Sequence, residues 1–286
     1  MSSLPERQSK QSAGTGIHGR PGWLSEWLPP AILVAAFLSA WQVATQVLGL
    51  PTWLLPSPVD IGEALVSSSQ LLARHGWVTL QEVLIGFALS FVVGVALAIA
   101  IAYSRTVEKA VYPFVVASQT IPVIAIAPIL LIWFGYGLLP KVIVVGLICF
   151  FPIVVNMVDG LRSVDPDLVN LMRSMGASRW QIFAKAQIPS SLPFLFSGTK
   201  IAIAVSVIGA VIGEWVGASA GLGYFMVRSA AQFQTPRVFA AVVVLSVMGI
   251  ALFVAAGLSE RHLLPWHQSQ RRRRAAGGWG KGGEGV

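Results

Sequence analysis

Apolar residues along this chain run in long blocks and do not alternate with polar ones. Five blocks, at 28–50, 78–102, 142–158, 192–216 and 238–258, are almost free of charge. Each is close to the roughly 20 apolar residues that a helix needs to cross the hydrocarbon core. A sixth block, 115–133, is equally long and uncharged, although Ser118, Gln119, Thr120, Pro122 and Pro128 interrupt it. The pattern predicts an all-α membrane protein with six transmembrane helices and one membrane domain over 28–258. Residues 1–27 read as a polar cytoplasmic leader without the apolar core of a cleaved signal. The first span would then act as an uncleaved anchor.

Composition agrees with that pattern. Of 286 residues, 55% are hydrophobic and only 11% charged, against about a quarter charged in soluble domains. With six spans, fifteen of the Lys and Arg residues fall on the side of the termini and of the loops near 104–111 and 159–191. Arg74, Lys141, Arg228 and Arg237 fall on the other side, and Lys200 lies within a span. Basic residues accumulate on the cytoplasmic side, so both termini are expected there. This bias accounts for the net charge of +8 and calls for no nucleic acid. Residues 259–286 read as a disordered basic cytoplasmic tail, with Arg271–Arg274 either touching anionic head groups or serving solubility and stop-transfer. The single cysteine, Cys149, lies in a span and offers no disulfide framework.

Several chemistries are excluded. The sequence "GTGIHG" at 14–19 has dinucleotide-type spacing but neither the strand nor the helix that such a site needs. No phosphate-binding loop occurs, and His18, His75, His262 and His267 fall outside the apolar blocks with no i, i+4 pairing for a metal. No catalytic set converges in the spans. The chain is expected to be no enzyme by itself and to bind no metal or cofactor.

Between the fourth and fifth blocks stands "VDPDLVNLMRSMGASRWQIFAKAQIPSSLP", 164–193. Asp165 suits a helix cap, Pro166 the first helical position, and Asp167 the positive end of the dipole. Leu168, Leu171, Met172 and Met175 follow at helical spacing, and Gly176 ends that helix. Ser178 and Gln181 form a capping box for a second helix with Trp180, Phe183, Ala184 and Ile188 on its apolar face. Pro189 and Pro193 are expected to end it at the membrane. Two readings stand: an amphipathic segment lying on head groups, or a ridge that fills a groove in a cytoplasmic partner. The abrupt caps favour a rigid, positioned element.

These residues resemble the cytoplasmic loop of permease subunits of binding-protein-dependent ABC importers, with its pattern E-A-A-x3-G-x9-I-x-L-P. Gly176 and Pro189 fall at the matching places, while Asn170-Leu171-Met172, Ala186 and Ile188 depart from it. "SQTIPVIAIAPILLIWFGYGLLPK" (118–141), "FPIVVNMVDGLRSVDPD" (151–167) and "GEWVGASAGLGYFM" (213–226) are similar to the nitrate/sulfonate/taurine branch. "TLQEVLIGF" (79–87), with Glu82, looks closer to permeases for thiamine-precursor pyrimidines or riboflavin. The resemblance implies the type I ABC importer permease fold in the bacterial inner membrane. It implies a permease homodimer, an ABC ATPase subunit that holds ATP and Mg, and an extracytoplasmic substrate-binding protein. The loop becomes a coupling helix, with Leu171, Met172, Met175, Gly176, Trp180, Phe183 and Pro189 as the residues concerned.

Polar groups at membrane depth are costly and mark a path or a packed interface. Gln119, Thr120, Asn156 and Glu214, with Trp215 beside it, are the candidates for the translocation path. Trp133, Trp215 and Tyr224 either stack on a flat ring or anchor span ends at the interface. Gly209, Gly213, Gly217 and Gly221 recur every four residues, a stripe for close helix packing within the chain or across a dimer seam. The rival reading is an ion-coupled secondary transporter or channel, which would leave the cytoplasmic loop without a partner. Reporter fusions after Arg105, Arg179 and Arg271 are expected to report cytoplasm, and a fusion near Arg228 the outside; an external Arg179 would reverse the orientation.

Overall fold

The computed structural model describes residues 23–264, and every regular element among them is helical. Most of the leader, and the tail with Arg271–Arg274, lie outside the described residues. The chain divides into two compact units, Met1–Leu50 and Pro51–Val286. The first contributes α1 (Trp23–Val47), which contains Pro29 and Pro30 and a span-length apolar stretch, Leu28–Val47.

The second unit begins with α2 (Pro58–Ser67), held by a capping box in which the Ser57 hydroxyl accepts from the Asp60 amide. There follow α3 (Ser69–Tyr103), α4 (Arg105–Ser118), α5 (Val123–Phe134) and α6 (Leu138–Arg162). After α7 (Pro166–Ser174) and α8 (Arg179–Ile182) come α9 (Ile188–Gly217), α10 (Leu222–Ala231) and α11 (Thr235–Leu263). Among the described residues, five helices are long and apolar enough to span a membrane. The pair α4–α5 makes a sixth crossing if its 100° bend is counted within one span. The bend falls ahead of Pro122, which clashes with helical geometry in the residue before it. Pro128, inside α5, does not break the helix.

Helix α6 is the centre of this unit. Its Val145, Cys149, Ile153, Val154, Val158 and Leu161 are fully buried, with α3 on one side and α9 on the other. Both neighbours approach through glycine. A Cβ on Gly86 of α3 would lie 2.6 Å from that of Val145, and one on Gly198 of α9 would lie 2.6 Å from the Pro152 carbonyl oxygen. Lipid tails are as apolar as leucine, so such close van der Waals contact holds helices together. An ion pair between Lys200 and Glu260 ties α9 to α11, which accounts for the charge found inside a span.

Two expectations from the sequence are corrected. Of the four-residue glycine stripe, Gly209 and Gly213 face α6 and Gly217 faces Leu131 of α5, so these three pack within the chain. Gly221 leaves the stripe, because it lies beyond the end of α9 with φ 120°. Nor do Pro189 and Pro193 end a helix: residues Arg179–Gly217 form one continuous helical stretch. Phe183–Gln187 is a π-turn in which the Ile188 amide reaches back five residues to the Phe183 carbonyl. A widened turn there leaves room for Pro189, which has no N–H to place and whose ring crowds a regular helix.

Gly86→Leu or Gly198→Leu is expected to force α3 or α9 away from α6, costing on the order of 1–3 kcal/mol as overpacking does. A lower melting temperature by fluorescence-detected size exclusion checks this, with Gly62→Ala, where a Cβ meets nothing within 4 Å, as the neutral comparison.

Candidate functional site

At the end of the unit where α6 finishes and α9 starts, the caps form as the sequence predicts. The Asp165 side chain accepts from the Asp167 amide at 2.9 Å, and Ser178 and Gln181 close a reciprocal capping box. Gly176 makes the turn at φ 79°, with open space where a side chain would project. Leu171, Met175 and Trp180 are 58%, 78% and 64% exposed, and Leu168 is exposed beside them, whereas Met172 is half-buried. Ala184 and Ile188 are half-buried too, and Phe183 departs furthest from the expected ridge. Phe183 is only 4% exposed, set between the Trp180 ring at 5.5 Å and the Tyr103 ring at 6.2 Å, edge-on to the latter. It anchors the loop to the end of α3 and leaves the outer face to the other four.

The opposite end holds a buried polar cluster. His75, Thr79 and Glu82 lie at i, i+4 and i+7 on one face of α3, Lys141 starts α6, and Glu214 ends α9. The Lys141 ammonium donates to Glu82 at 2.6 Å. Glu82 and Glu214 are 0% and 1% exposed. The turn between α9 and α10 is held by its backbone at four successive residues. Lys141 donates to the Ala220 carbonyl at 3.4 Å, and the Gly221 amide donates to His75 Nδ1 at 3.1 Å. The Leu222 amide donates to the Thr79 hydroxyl at 2.8 Å, and the Gly223 amide to the Glu214 carboxylate. The Thr79 hydroxyl in turn donates to Glu214 at 2.7 Å. A Cβ on Gly221 would fall inside the Glu214 carboxylate, so the turn fits only without a side chain there. Above the cluster, Arg74, Arg228 and Arg237 line a cleft of about 420 Å³ together with His75 and Tyr224.

Residues 90–265 match the family described as binding-protein-dependent transport system inner membrane component. That match covers more than half of the chain. The protein belongs to this family of ABC importer permeases. A formylaminopyrimidine transport permease, ThiX, from Halalkalibacterium halodurans is 44% identical over 85% of this chain and 97% of its own length. A riboflavin transport system permease, RibX, from Chloroflexus aurantiacus is 38% identical over 86% of this chain and 92% of its own. Among solved structures, the inward-facing MetNI methionine ABC transporter superposes with a TM-score of 0.59 at 21% identity, over 68% of this chain and 97% of the other. That likeness concerns the fold, the type I importer permease fold that the sequence implied.

In this permease the proposed path residues occupy distinct settings. Gln119 and Thr120 are exposed at the α4–α5 break, and Trp215 is half-exposed on α9. Asn156 turns its amide back to the Pro152 carbonyl of its own helix at 2.8 Å, where α6 meets Gly198. Glu214 belongs to the buried cluster. Glu82, which the sequence marks only through the subgroup resemblance, is the buried partner of Lys141. Sequence patterning does not single out His75, Thr79 and Lys141 as members of this cluster, because each looks like a loop or edge residue by itself. The signal was their spacing on α3 and the single lysine opening the fourth span.

Removing one partner of a buried ion pair strands the other charge and costs about 3–5 kcal/mol. Lys141→Met is therefore expected to lower the melting temperature of the permease sharply, and Lys141→Met combined with Glu82→Leu to recover much of it. A double variant as unstable as Lys141→Met would show that the pair acts through something other than charge compensation.

Proposed function

We propose that this permease works as a homodimer with two ATPase subunits and an extracytoplasmic binding protein, importing a small solute by ATP-driven alternating access. ATP and Mg belong to the ATPase, and this chain contributes neither catalysis nor a cofactor site. The observation that carries the reading is the α7–α8 hairpin: an exposed apolar ridge on two capped helices, the second of which continues as one helical stretch into α9. Displacement of such a ridge is transmitted to the spans, whereas a floppy loop would absorb it. Leu171, Met175 and Trp180, with Met172 beneath them, are assigned to the ATPase contact, and Gly176, Phe183 and Pro189 to the rigidity of the lever.

At the opposite end, the arginine-lined cleft of Arg74, Arg228 and Arg237 offers an acidic face of the binding protein its contact, since charge complementarity steers and registers such encounters. Gln119, Thr120 and Trp215 are assigned to the path, while Asn156 and Glu214 hold the helices that border it. The solute is proposed to be a pyrimidine- or flavin-like compound. Support comes from the ranking of relatives: 44% and 38% identity to permeases named for such compounds, against 30% to one named for aliphatic sulfonates from Bacillus subtilis. Ligand binding by the cognate binding protein tests the solute.

Trp180→Ala with Leu171→Ala is expected to weaken ATPase association by about 2 kcal/mol or more, as loss of buried anchors does, without changing the melting temperature of the permease. Phe183→Ala is expected to do the reverse, lowering stability by about 3–5 kcal/mol before it affects coupling. The measurements are co-purification of the ATPase and binding-protein-stimulated ATP hydrolysis in proteoliposomes. Wild-type hydrolysis and import in the Trp180/Leu171 variant would return the hairpin to a membrane-surface role.

A further inference from the structure

A second feature borders the hairpin and is not used by the coupling ridge. A cleft of about 580 Å³ opens between the α3–α4 junction and the α7–α8 hairpin. Arg105 of α4, Arg173 of α7 and Arg179 of α8 line it, and no acidic side chain does. The nearby Arg162 shows what a satisfied arginine looks like here: it pairs with Glu108 at 2.8 Å and lies over the Tyr112 ring at 5.5 Å. None of the three cleft arginines takes part in an ion pair among the described residues. All three are exposed at the rim of one cavity, so positive charge is concentrated there and an anion seated among them would be attracted by all three.

The cleft does not compete with the ridge. Val169 and Arg173, one turn apart on α7, face the cleft, while Leu168, Leu171 and Met175 stay exposed. Its wall includes Phe183 and Gln187, the two ends of the π-turn, and Tyr103, the last residue of the α3 span. The cleft therefore adjoins the end of an apolar, span-length helix.

We propose that this cleft binds a phosphate group, which ties the hairpin to the start of α4. The guanidinium fork matches phosphate oxygens two at a time. The group comes from the headgroup of an anionic lipid of the cytoplasmic leaflet or from inorganic phosphate. The proposal takes from the preceding section only the cytoplasmic placement of the loop, and its test reads binding, so loss of coupling and loss of this site are distinguishable.

The full-length permease is purified as wild type, as Arg173→Gln/Arg179→Gln, and as Lys109→Gln, an exposed cation of α4 outside the cleft. Retained lipid is counted by native mass spectrometry after exchange into equal parts phosphatidylglycerol and phosphatidylcholine, and radiolabelled inorganic phosphate binding is measured by equilibrium dialysis. Losing two charge-assisted contacts is expected to lower affinity roughly tenfold or more. Selective phosphatidylglycerol retention that falls in the double variant but not in Lys109→Gln assigns the site to a lipid headgroup. Inorganic phosphate binding lost in the double variant, with lipid retention unchanged, assigns it to free phosphate. If neither probe separates wild type from the double variant, while both elute as folded protein, the proposal is wrong.

Discussion

The close approach of α3 and α9 to α6 is the constraint on which the rest of the second unit depends. In lipid, burial of apolar surface does not drive one helix against another, so contact distance decides how well they hold. Gly86 and Gly198 remove the side chains that would keep the helices apart, and Gly209 and Gly213 extend the seam along α9. Only with α6 gripped from both sides do Lys141 at its start and Leu161 at its end stand in fixed positions. The two ends of this unit are therefore joined through three packed helices.

The polar cluster and the hairpin are complementary consequences of that grip. At one end, four successive backbone groups of the α9–α10 turn are bound by side chains from α3, α6 and α9. A turn secured in this way moves with the helix ends and not independently of them. At the other end, the π-turn lets α8 continue into α9, so Trp180 and the Glu214 end of α9 belong to one helical stretch, while Leu168, Leu171 and Met175 precede the Gly176 turn.

Burying Glu82, Glu214 and Lys141 is expensive, and pairing offsets only part of that cost, since one Glu82 carboxylate oxygen is buried without a partner. Lys141 faces Glu82, and the Glu214 carboxylate accepts from a hydroxyl and a backbone amide. Charged groups in such a setting specify which surfaces meet, because a shifted register would leave them unpaired. Gly221 has to be glycine here for two reasons, its positive φ and the carboxylate that occupies the place of its Cβ.

Much of this was legible in the sequence because it follows from local rules. The apolar blocks, the caps at Asp165 and Ser178, the turn at Gly176 and the break near Pro122 each depend on residues within a few positions of one another. The family motif added Pro189 and the loop between spans four and five. What the sequence could not decide were relations between distant segments. Phe183 shares an apolar helix face with Trp180, and only packing against the core of the unit buries one and leaves the other exposed. Gly221 continues a four-residue repeat, and only the end of α9 takes it out of the stripe. Glu82 and Lys141 are 59 positions apart and Thr79 and Glu214 are 135 apart, so their pairing had no local signature. Periodicity and capping are written into neighbouring residues, whereas the partner of a buried charge is settled only when the helices pack.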